Sequence, residues 1–390
     1  MDFTITEEQK AFRDAVYKFA KNELYELTKE AERKGEFSFE AWKKMGEYGI
    51  MALPFPEEYG GHDAGVMTTL LAMEALARGG CDAGTCLAWG AHTILCGVPI
   101  WQVGTEEQKK KYLPGIASGE LIGGFGLTEP EAGSDAAGAK TTAVKKGDKY
   151  ILNGSKMFIT NGPIGHVFVV IAVTNKAAGH FGISAFIVEK GFPGFSVGED
   201  LDKLGNRSST TCELIFEDCE VPAENLLGQE GFGFITVGKT TLEWERSCLL
   251  AAGVGGIEFG LDKTVQYAKE RKQFGKPIGK FQAVQNMLSE MKVSVEAAKM
   301  ALYRVGWLKE QNLPAMLEAS IAKLFISEVG LRAADLAVQV HGGYGYMKEY
   351  DVERGYRDAK LGTIGAGTSE VQRMIISKML LNTKKKGGNK

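Results

Sequence analysis

The chain has 390 residues, of which 44% are hydrophobic and 24% charged, and its formal net charge at pH 7 is −3. This length predicts two or three packed units with substantial cores. A nearly neutral balance gives no reason to expect a nucleic-acid partner, because phosphate-binding proteins carry a basic excess.

The start of the chain and its cysteines bear on where the protein works. Met1-Asp2-Phe3-Thr4 is polar where a signal peptide needs an apolar block. The apolar residues are dispersed, and we expect no run of about twenty that spans a bilayer. The six cysteines show neither a CxxC pair nor metal-ligand spacing, which favours buried or incidental thiols in a reducing compartment. We therefore expect a cytoplasmic protein without membrane insertion or a metal site.

Residues 1–120 are predicted to form a helical domain. Phe12, Val16 and Phe19 recur three and four residues apart, which makes one apolar helix face. A second helical block covers residues 67–77. Thr105 is suited to cap a helix whose first turn carries Glu106 and Glu107.

Residues 121–231 change to the period of strands. Asn153-Gly154 predicts a hairpin turn between the runs 150–152 and 157–159. Further β-rich runs at 167–173, 183–188 and 214–216 complete a predicted antiparallel sheet or barrel.

Residues 232–390 return to the helical period. The pattern persists to about Leu381, and the Lys- and Gly-rich stretch 384–388 is predicted to be a solvated tail. The predicted order along the chain is helices, strands, helices.

Three glycine-containing clusters are candidates for ligand contact. In residues 126–135, small residues let the backbone approach a ligand, and Thr128 and Ser134 offer hydroxyl donors. Residues 339–346 carry three glycines in four positions, without the GxGxxG spacing of dinucleotide sites. Residues 364–370 form a glycine-rich loop before a predicted helix, and a helix N-terminus of this kind suits an anionic group.

Together these clusters resemble the acyl-CoA dehydrogenase family over nearly the whole chain. The resemblance rests on Leu-Thr-Glu-Pro-x-Ala-Gly-Ser-Asp at 127–135 and on Gln-x-x-Gly-Gly-x-Gly-Tyr at 339–346, followed by Arg354 and Asp358. Residues 270–278 are similar to the family's segment for the FAD diphosphate. The resemblance implies an α+β fold with an N-terminal helical domain, a β-barrel-like middle domain and a C-terminal four-helix bundle. It also implies a homotetramer in which two subunits hold each FAD.

The resemblance implies a set of FAD-binding residues. Those expected to line the flavin are Phe125, Leu127, Thr128, Ser134, Phe158 and Thr160, and Thr368 and Glu370 are expected to contact FAD from the loop after Gly367. Those expected from the neighbouring subunit are Arg271, Phe274, Gln282, Gln339 and Gly343. Phe158 departs from the tryptophan that is common at its position.

The resemblance places the catalytic base at one of two positions in the chain. Family enzymes remove the α-proton of an acyl-CoA with a carboxylate, while the β-hydrogen leaves as hydride to flavin N5. Many members carry that carboxylate where this chain has Ala366, which has no acidic group. A minority branch, which includes isovaleryl-CoA dehydrogenases, carries it on a helix at the position of Glu245. The resemblance therefore implies Glu245 as base and the backbone N–H of Ala366 as oxyanion donor.

Substrate contacts are also implied by the resemblance. They are expected from Ser134, Glu243, Arg246 and Gly367. Glu243 is the competing carboxylate, but two residues from Glu245 it lies roughly on the opposite side of a helix, and we expect it to contact the CoA moiety.

The base position favours a short or branched acyl group. Gly362-Thr363 replaces a bulkier Tyr-Glu pair of the isovaleryl enzymes, which predicts room for a larger, cyclic or aryl-substituted group. Electron-transferring flavoprotein is the acceptor that the resemblance implies. Alternatives are a flavin-dependent enoyl-CoA reductase, oxidase or desulfinase of the same fold, or a non-catalytic flavin- or CoA-binding protein, which Ala366 suggests.

Overall fold

The computed structural model describes residues 5–235, 241 and 244–381, and helices, strands and helices follow in the predicted order. The helices before the sheet are α1 (Glu7–Phe19), α2 (Tyr25–Lys34), α3 (Phe39–Glu47), α4 (Val66–Arg78), α5 (Ala83–Trp89), α6 (Val98–Val103) and α7 (Glu106–Ser118). The block predicted at 67–77 is α4. Thr105 caps α7 in a reciprocal capping box with Gln108, so the predicted cap is confirmed.

One stretch corrects the expectation that no segment is long and apolar enough to cross a bilayer. Ala83–Val103, 21 residues that join α5 to α6 through a π-helical segment, meets both criteria. However, 83% of its most apolar window is buried inside the protein. Apolar composition on all sides is also what a central core helix requires.

The middle of the chain forms one eight-stranded sheet. Its strands are β1 (Gly123–Gly126), β2 (Thr142–Lys146), β3 (Lys149–Thr160), β4 (Val167–Val173), β5 (Ile183–Glu189), β6 (Phe195–Val197), β7 (Thr211–Pro222) and β8 (Leu226–Leu227). Their order is β6-β7-β3-β2-β4-β5-β8, and β1 pairs with β4 in parallel. Val167, Val169 and Ile171 pack into the helical core, whereas Phe168 and Val170 belong to a second core within the sheet.

The hairpin predicted at Asn153-Gly154 is wrong. Residues 149–160 form the single long strand β3, and the turn lies between β2 and β3, where Lys146 pairs with Lys149. Gly154 has φ +138°, and the pairing of β3 with β7 shifts register between Leu152 and Gly154. The glycine therefore serves an irregularity inside a strand instead of a turn.

The C-terminal part is helical to Leu381, as predicted. Its helices are α8 (Leu250–Glu270), α9 (Gln282–Glu310), α10 (Met316–His341), α11 (Asp351–Gly362) and α12 (Ser369–Leu381). A small hairpin, β9 (Lys272–Gln273) and β10 (Lys276–Pro277), follows α8. Helix α10 is the central element and packs against α8, α9, α11 and α12. The predicted tail at 384–388 lies outside the described residues. All six cysteines are buried free thiols, as expected.

Polar contacts fasten α11 to the other two parts of the fold. The carboxylate of Asp358 accepts a hydrogen bond from the backbone N–H of Asn206, at 2.6 Å, in the loop before β7. Arg357 donates to Glu32 of α2 at 2.8 Å and to Glu353 within α11 at 2.7 Å. Because α11 leads directly into the third glycine-rich cluster, these contacts fix the position of that loop.

The Arg357–Glu32 contact generates a stability prediction. Arg357→Met leaves the buried Glu32 carboxylate without its cation, and we expect the free energy of unfolding to fall by about 3 kcal/mol. Arg332→Met is the matched control, because Arg332 contacts Glu290 and Asp335 at an exposed position and should cost less than about 1 kcal/mol. Urea unfolding of both variants makes the comparison, and equal losses would contradict the role assigned to Arg357.

Candidate active site

Glu245 opens a π-helical turn, Glu245–Leu249, that runs into α8. Turns of this type are rare in proteins as a whole, but those that occur are often at functional sites. Glu245 lines a cavity of about 300 Å³ together with Arg246, Leu249 and Ala366. The predicted base and the predicted oxyanion donor therefore border the same space.

The surroundings of Glu245 adjust its acidity. Burial raises the pKa of the carboxyl to about 7, and the nearby cations Arg246 and Lys323 oppose that rise. Glu245 as a whole is half-buried. A carboxylate with a pKa near neutrality is matched to proton abstraction at physiological pH.

Lys323 is a site residue that the sequence analysis did not identify. It lies on α10, is 1% exposed, and lines the same cavity as Glu245. Its ammonium donates a hydrogen bond to the carbonyl of Gly362 at 2.8 Å, at the C-terminal end of α11. Burial lowers the pKa of Lys323 to about 8, and the charge of Glu245 opposes that change. A lysine in a mostly apolar helix carries no recognisable motif, so only the packing reveals it.

The loop after α11 presents the backbone of Ala366. Ala366 has φ +55° and Gly367 has φ +85°, a left-handed pair that strains the alanine. The amide of Gln372 holds both carbonyls, at 3.1 Å each, so the loop is tied to α12. In the described part of the chain the N–H of Ala366 donates no hydrogen bond, which leaves it available to a ligand oxygen.

The sheet brings together one group of predicted FAD residues. Phe125 and Leu127 lie in and just after β1, and the carbonyl of Thr128 accepts from the backbone N–H of Met157 at 2.8 Å. That bond sets Thr128 beside Phe158, which has φ +61° and is 65% exposed. Thr160 ends β3, and Ser134 is exposed in the loop after β1.

A buried ion pair, which the sequence did not reveal, supports the loop after β1. Lys156 donates to Glu129 at 2.5 Å, and Glu129 also accepts from the backbone N–H groups of Lys140 and Thr141, at 2.6 and 3.0 Å. Glu129 thereby closes the loop that carries Thr128 and Ser134. The alternation of β3 could have indicated that Lys156 points inwards, but its partner is 27 positions away.

The remaining predicted FAD residues lie on other surfaces of the chain. Arg271 and Gly343 line a pocket of about 510 Å³, where Arg271 lies over the ring of Tyr344 at 5.2 Å. Gln339 does not line this pocket and is exposed on α10, four residues before Gly343. Thr368 and Glu370 line a different pocket, of about 570 Å³, at the N-terminus of α12.

Two further predicted FAD residues, and the predicted substrate residues, complete the set. Phe274 is 92% exposed on the β9–β10 hairpin, and Gln282 is exposed at the start of α9. Arg246 is buried beside Glu245, and Gly367 follows Ala366. Glu243 lies outside the described residues.

The residues at the Arg271 pocket and at the N-terminus of α12 fit an anionic dinucleotide cofactor. Gly343 has open space where a Cβ would lie, which allows close approach to the backbone. The N-terminus of α12 and the guanidinium of Arg271 supply the donors that phosphate groups require. Among the described residues no group of three His, Cys, Asp or Glu side chains could hold a metal ion.

The raised pKa of Glu245 generates a second stability prediction. An acid whose pKa is about 7 when folded and 4.5 when unfolded destabilises the fold increasingly as pH rises from 4.5 to 7. Glu245→Gln should therefore increase the free energy of unfolding at pH 8, by about 3 kcal/mol, and change it little at pH 4.5. Urea unfolding at the two pH values checks this, with the exposed Glu30→Gln as a control that stays flat.

Comparison with known proteins identifies the family. Family models match at residues 6–120 for the acyl-CoA dehydrogenase N-terminal domain, 124–219 for the middle domain and 231–381 for the C-terminal domain. A short-chain-specific acyl-CoA dehydrogenase of Clostridium acetobutylicum is 46% identical over 97% of this chain and 99% of its own length. Mitochondrial isovaleryl-CoA dehydrogenase of Oryza sativa is 42% identical over 97% of this chain and 92% of its own length. An NADH-dependent acryloyl-CoA reductase of Anaerotignum propionicum is 40% identical, over 98% and 96%.

Solved structures agree over nearly the whole chain. A chain from a study of the electron transferring flavoprotein of Acidaminococcus fermentans superimposes with a TM-score of 0.95 at 47% identity, covering 98% of this chain and all of that one. Butyryl-CoA dehydrogenase of Megasphaera elsdenii gives 0.94 at 43% identity, over 98% and 100%. The FAD complex of PigA gives 0.94 at 36% identity, over 97% and 99%. The predicted family, fold and enzyme class are confirmed: this chain belongs to the acyl-CoA dehydrogenase family of flavin-dependent oxidoreductases.

Proposed function

We propose that this protein dehydrogenates a short, branched or cyclic acyl-CoA to the 2-enoyl-CoA, with Glu245 as the base that takes the α-proton. The observation that carries the proposal is that Glu245 and Ala366 line one cavity, while the N–H of Ala366 donates no hydrogen bond to any described residue. A base and an oxyanion donor that face one space can act on neighbouring atoms of the same thioester.

Proton abstraction needs both groups. The α-proton of a thioester is too weakly acidic for a carboxylate unless charge on the carbonyl oxygen is stabilised as it develops. The N–H of Ala366 supplies a hydrogen bond to that oxygen. Because backbone N–H groups need no acidic side chain, the alanine at this position is compatible with activity.

FAD, the predicted cofactor, is that of the family, and we propose that it is held by the residues predicted from the sheet, the α12 N-terminus and the Arg271 pocket. When bound, FAD supplies the acceptor, at N5, for the hydride that leaves the β-carbon. The distribution of these residues over separate surfaces, with Phe274 projecting almost fully exposed, supports a homotetramer in which a neighbouring subunit completes each site.

The proposed function includes an acyl group, an electron acceptor and a cellular location. Gly362 lines the cavity, where its missing side chain leaves room for a branched or cyclic group. Electron-transferring flavoprotein is the proposed acceptor, supported by the Acidaminococcus likeness, and the proposed location is the cytoplasm.

A second candidate function is reduction of an enoyl-CoA, which the likeness to acryloyl-CoA reductase favours. Stopped-flow measurement of both directions separates the two. One rate is that at which 2-enoyl-CoA reoxidises the reduced protein, and the other is that at which the saturated thioester reduces the oxidised protein. If the first rate is the faster at matched concentrations, the result favours the reductase.

Replacing the base tests the main proposal. Glu245→Gln should lower the rate of flavin reduction by acyl-CoA at least about a hundredfold, because a general base contributes at least that factor. The rate is measured anaerobically, from bleaching of the oxidised flavin band. Glu245→Asp keeps a carboxylate and should retain part of the rate. A Glu245→Gln variant with normal FAD content that reduces flavin at the wild-type rate would disprove the assignment.

Lys323 should set the pH dependence of the same step. Among the described residues the charged groups that act on Glu245 are Arg246, on its own turn, and Lys323, on α10. Lys323→Met removes a cation that favours the carboxylate, so the pKa of Glu245 rises and the rate of flavin reduction at pH 7 falls. The rate should recover at higher pH, whereas Lys323→Arg should keep a profile near that of the wild type. A profile that Lys323→Met leaves unmoved would contradict this role.

A further inference from the structure

The cavity that Glu245 lines extends far beyond the reacting atoms. Its lining follows α8 from Glu245 as far as Lys263, with α10 and α11 as the other walls and residues 80–87 closing one side. With a rise of 1.5 Å per residue, Gly256 lies about 16 Å and Gly260 about 22 Å along the helix from Glu245. A short acyl group attached at the reacting carbons leaves most of this length unfilled.

Small residues on three helices create the space. Gly253, Gly256 and Gly260 recur at intervals of three and four and so share one face of α8. A Cβ added at Gly256 or Gly260 would have no atom within 4 Å, and the same is true of Gly355 on α11. On α10 the lining residues include Gly330, Ala333, Ala334 and Ala337.

The volume sets the scale of an occupant. The cavity measures about 300 Å³, whereas an apolar cavity of about 150 Å³ is enough to bind benzene. Packed protein interiors leave few voids larger than a water molecule, because an unfilled apolar space loses dispersion contacts on its whole surface. Such a space beside a base therefore indicates an apolar ligand group.

The charges at the far end exclude an ionised tail. Lys263 and Arg354 lie 3.3 and 3.6 Å from Asp351, and Tyr25 donates to the same carboxylate at 2.6 Å. Asp82 and Asp358 add two further carboxyl groups to the lining. Lys263 and Arg354 are thus already paired with an acid of the lining, so among the described residues neither cation at this end is left to pair with a second carboxylate on the substrate.

We propose that this cavity is an extended acyl chamber and that the physiological thioester carries an uncharged apolar tail, alkyl or ring-terminated, that reaches Gly256 or beyond. The inference rests on the proposed function, because it assigns the reacting carbons to the end at Glu245. It keeps the proposed reaction and base but replaces the short acyl group of the proposed function with one that carries a distal apolar extension.

Binding of CoA thioethers with increasing tail length tests the chamber without any reaction. S-alkyl-CoA compounds from butyl to dodecyl cannot be oxidised as thioesters, and their Kd values for the FAD-loaded protein are measured by calorimetry. We expect the wild type to bind about fourfold more tightly for each added methylene that it buries, well past the butyl compound. A tail ending in phenyl, compared with an alkyl tail of equal carbon number, shows which of the two the chamber prefers.

Leucine at the open glycines should shorten the chamber in order of depth. The tail length at which the Kd stops improving should be shortest for Gly256→Leu, longer for Gly260→Leu and longest for the wild type. Gly355→Leu fills the space from the opposite wall, and serves if an α8 variant does not fold. Gly191→Leu, at an open glycine in the turn after β5, should follow the wild type.

Two results would overturn the chamber. One is a wild-type Kd that stops improving at the butyl tail; the other is a set of leucine variants that follow the wild type at every length. Neither result depends on catalysis, so each leaves the proposed dehydrogenation standing. Conversely, wild-type activity in the Glu245→Gln variant removes the base assignment whatever the tail measurements show.

Discussion

The structure depends on keeping one carboxylate, that of Glu245, partly out of water. Burial disfavours the ionised form, and two cations held nearby restore some of the lost stabilisation. The balance brings the pKa close to neutrality, where the group can accept a proton and still be ionised in a useful fraction of molecules. Such a group costs folding stability at neutral pH.

Rigid supports surround the carboxylate on each side. The π-helical turn places Glu245 at the head of α8, and Lys323 joins the opposite helix to the last carbonyl of α11. The contacts of Asp358 and Arg357 fix α11 against the sheet and the first helices. The strained Ala366 is thus held between two anchored elements. Lys323 contributes both to this geometry and to the charge at Glu245.

The space around the base is as informative as the base itself. Helices normally pack through larger side chains, and a bundle that places glycines and alanines along three walls gives up dispersion energy within its own core. An apolar ligand can return that energy when it binds. Stability lost in the free protein and affinity for a long apolar tail would then have the same structural origin, which is a trade commonly found at functional sites.

Sequence patterns alone determined the order of helices and strands, the cap at Thr105 and the family, because each depends on neighbours or on short motifs. The same patterns pointed to Glu245 once Ala366 had ruled out the commoner position, although its placement at the cavity emerged only from the fold. Local reasoning failed at Asn153-Gly154, where pairing with β7 turned a turn-forming dipeptide into an irregularity within a strand. It could not find the Lys156–Glu129 pair, Lys323 or the glycine-lined cavity. Each of these joins residues far apart in the chain, and both the desolvation of a charge and the volume left between helices are set by tertiary packing.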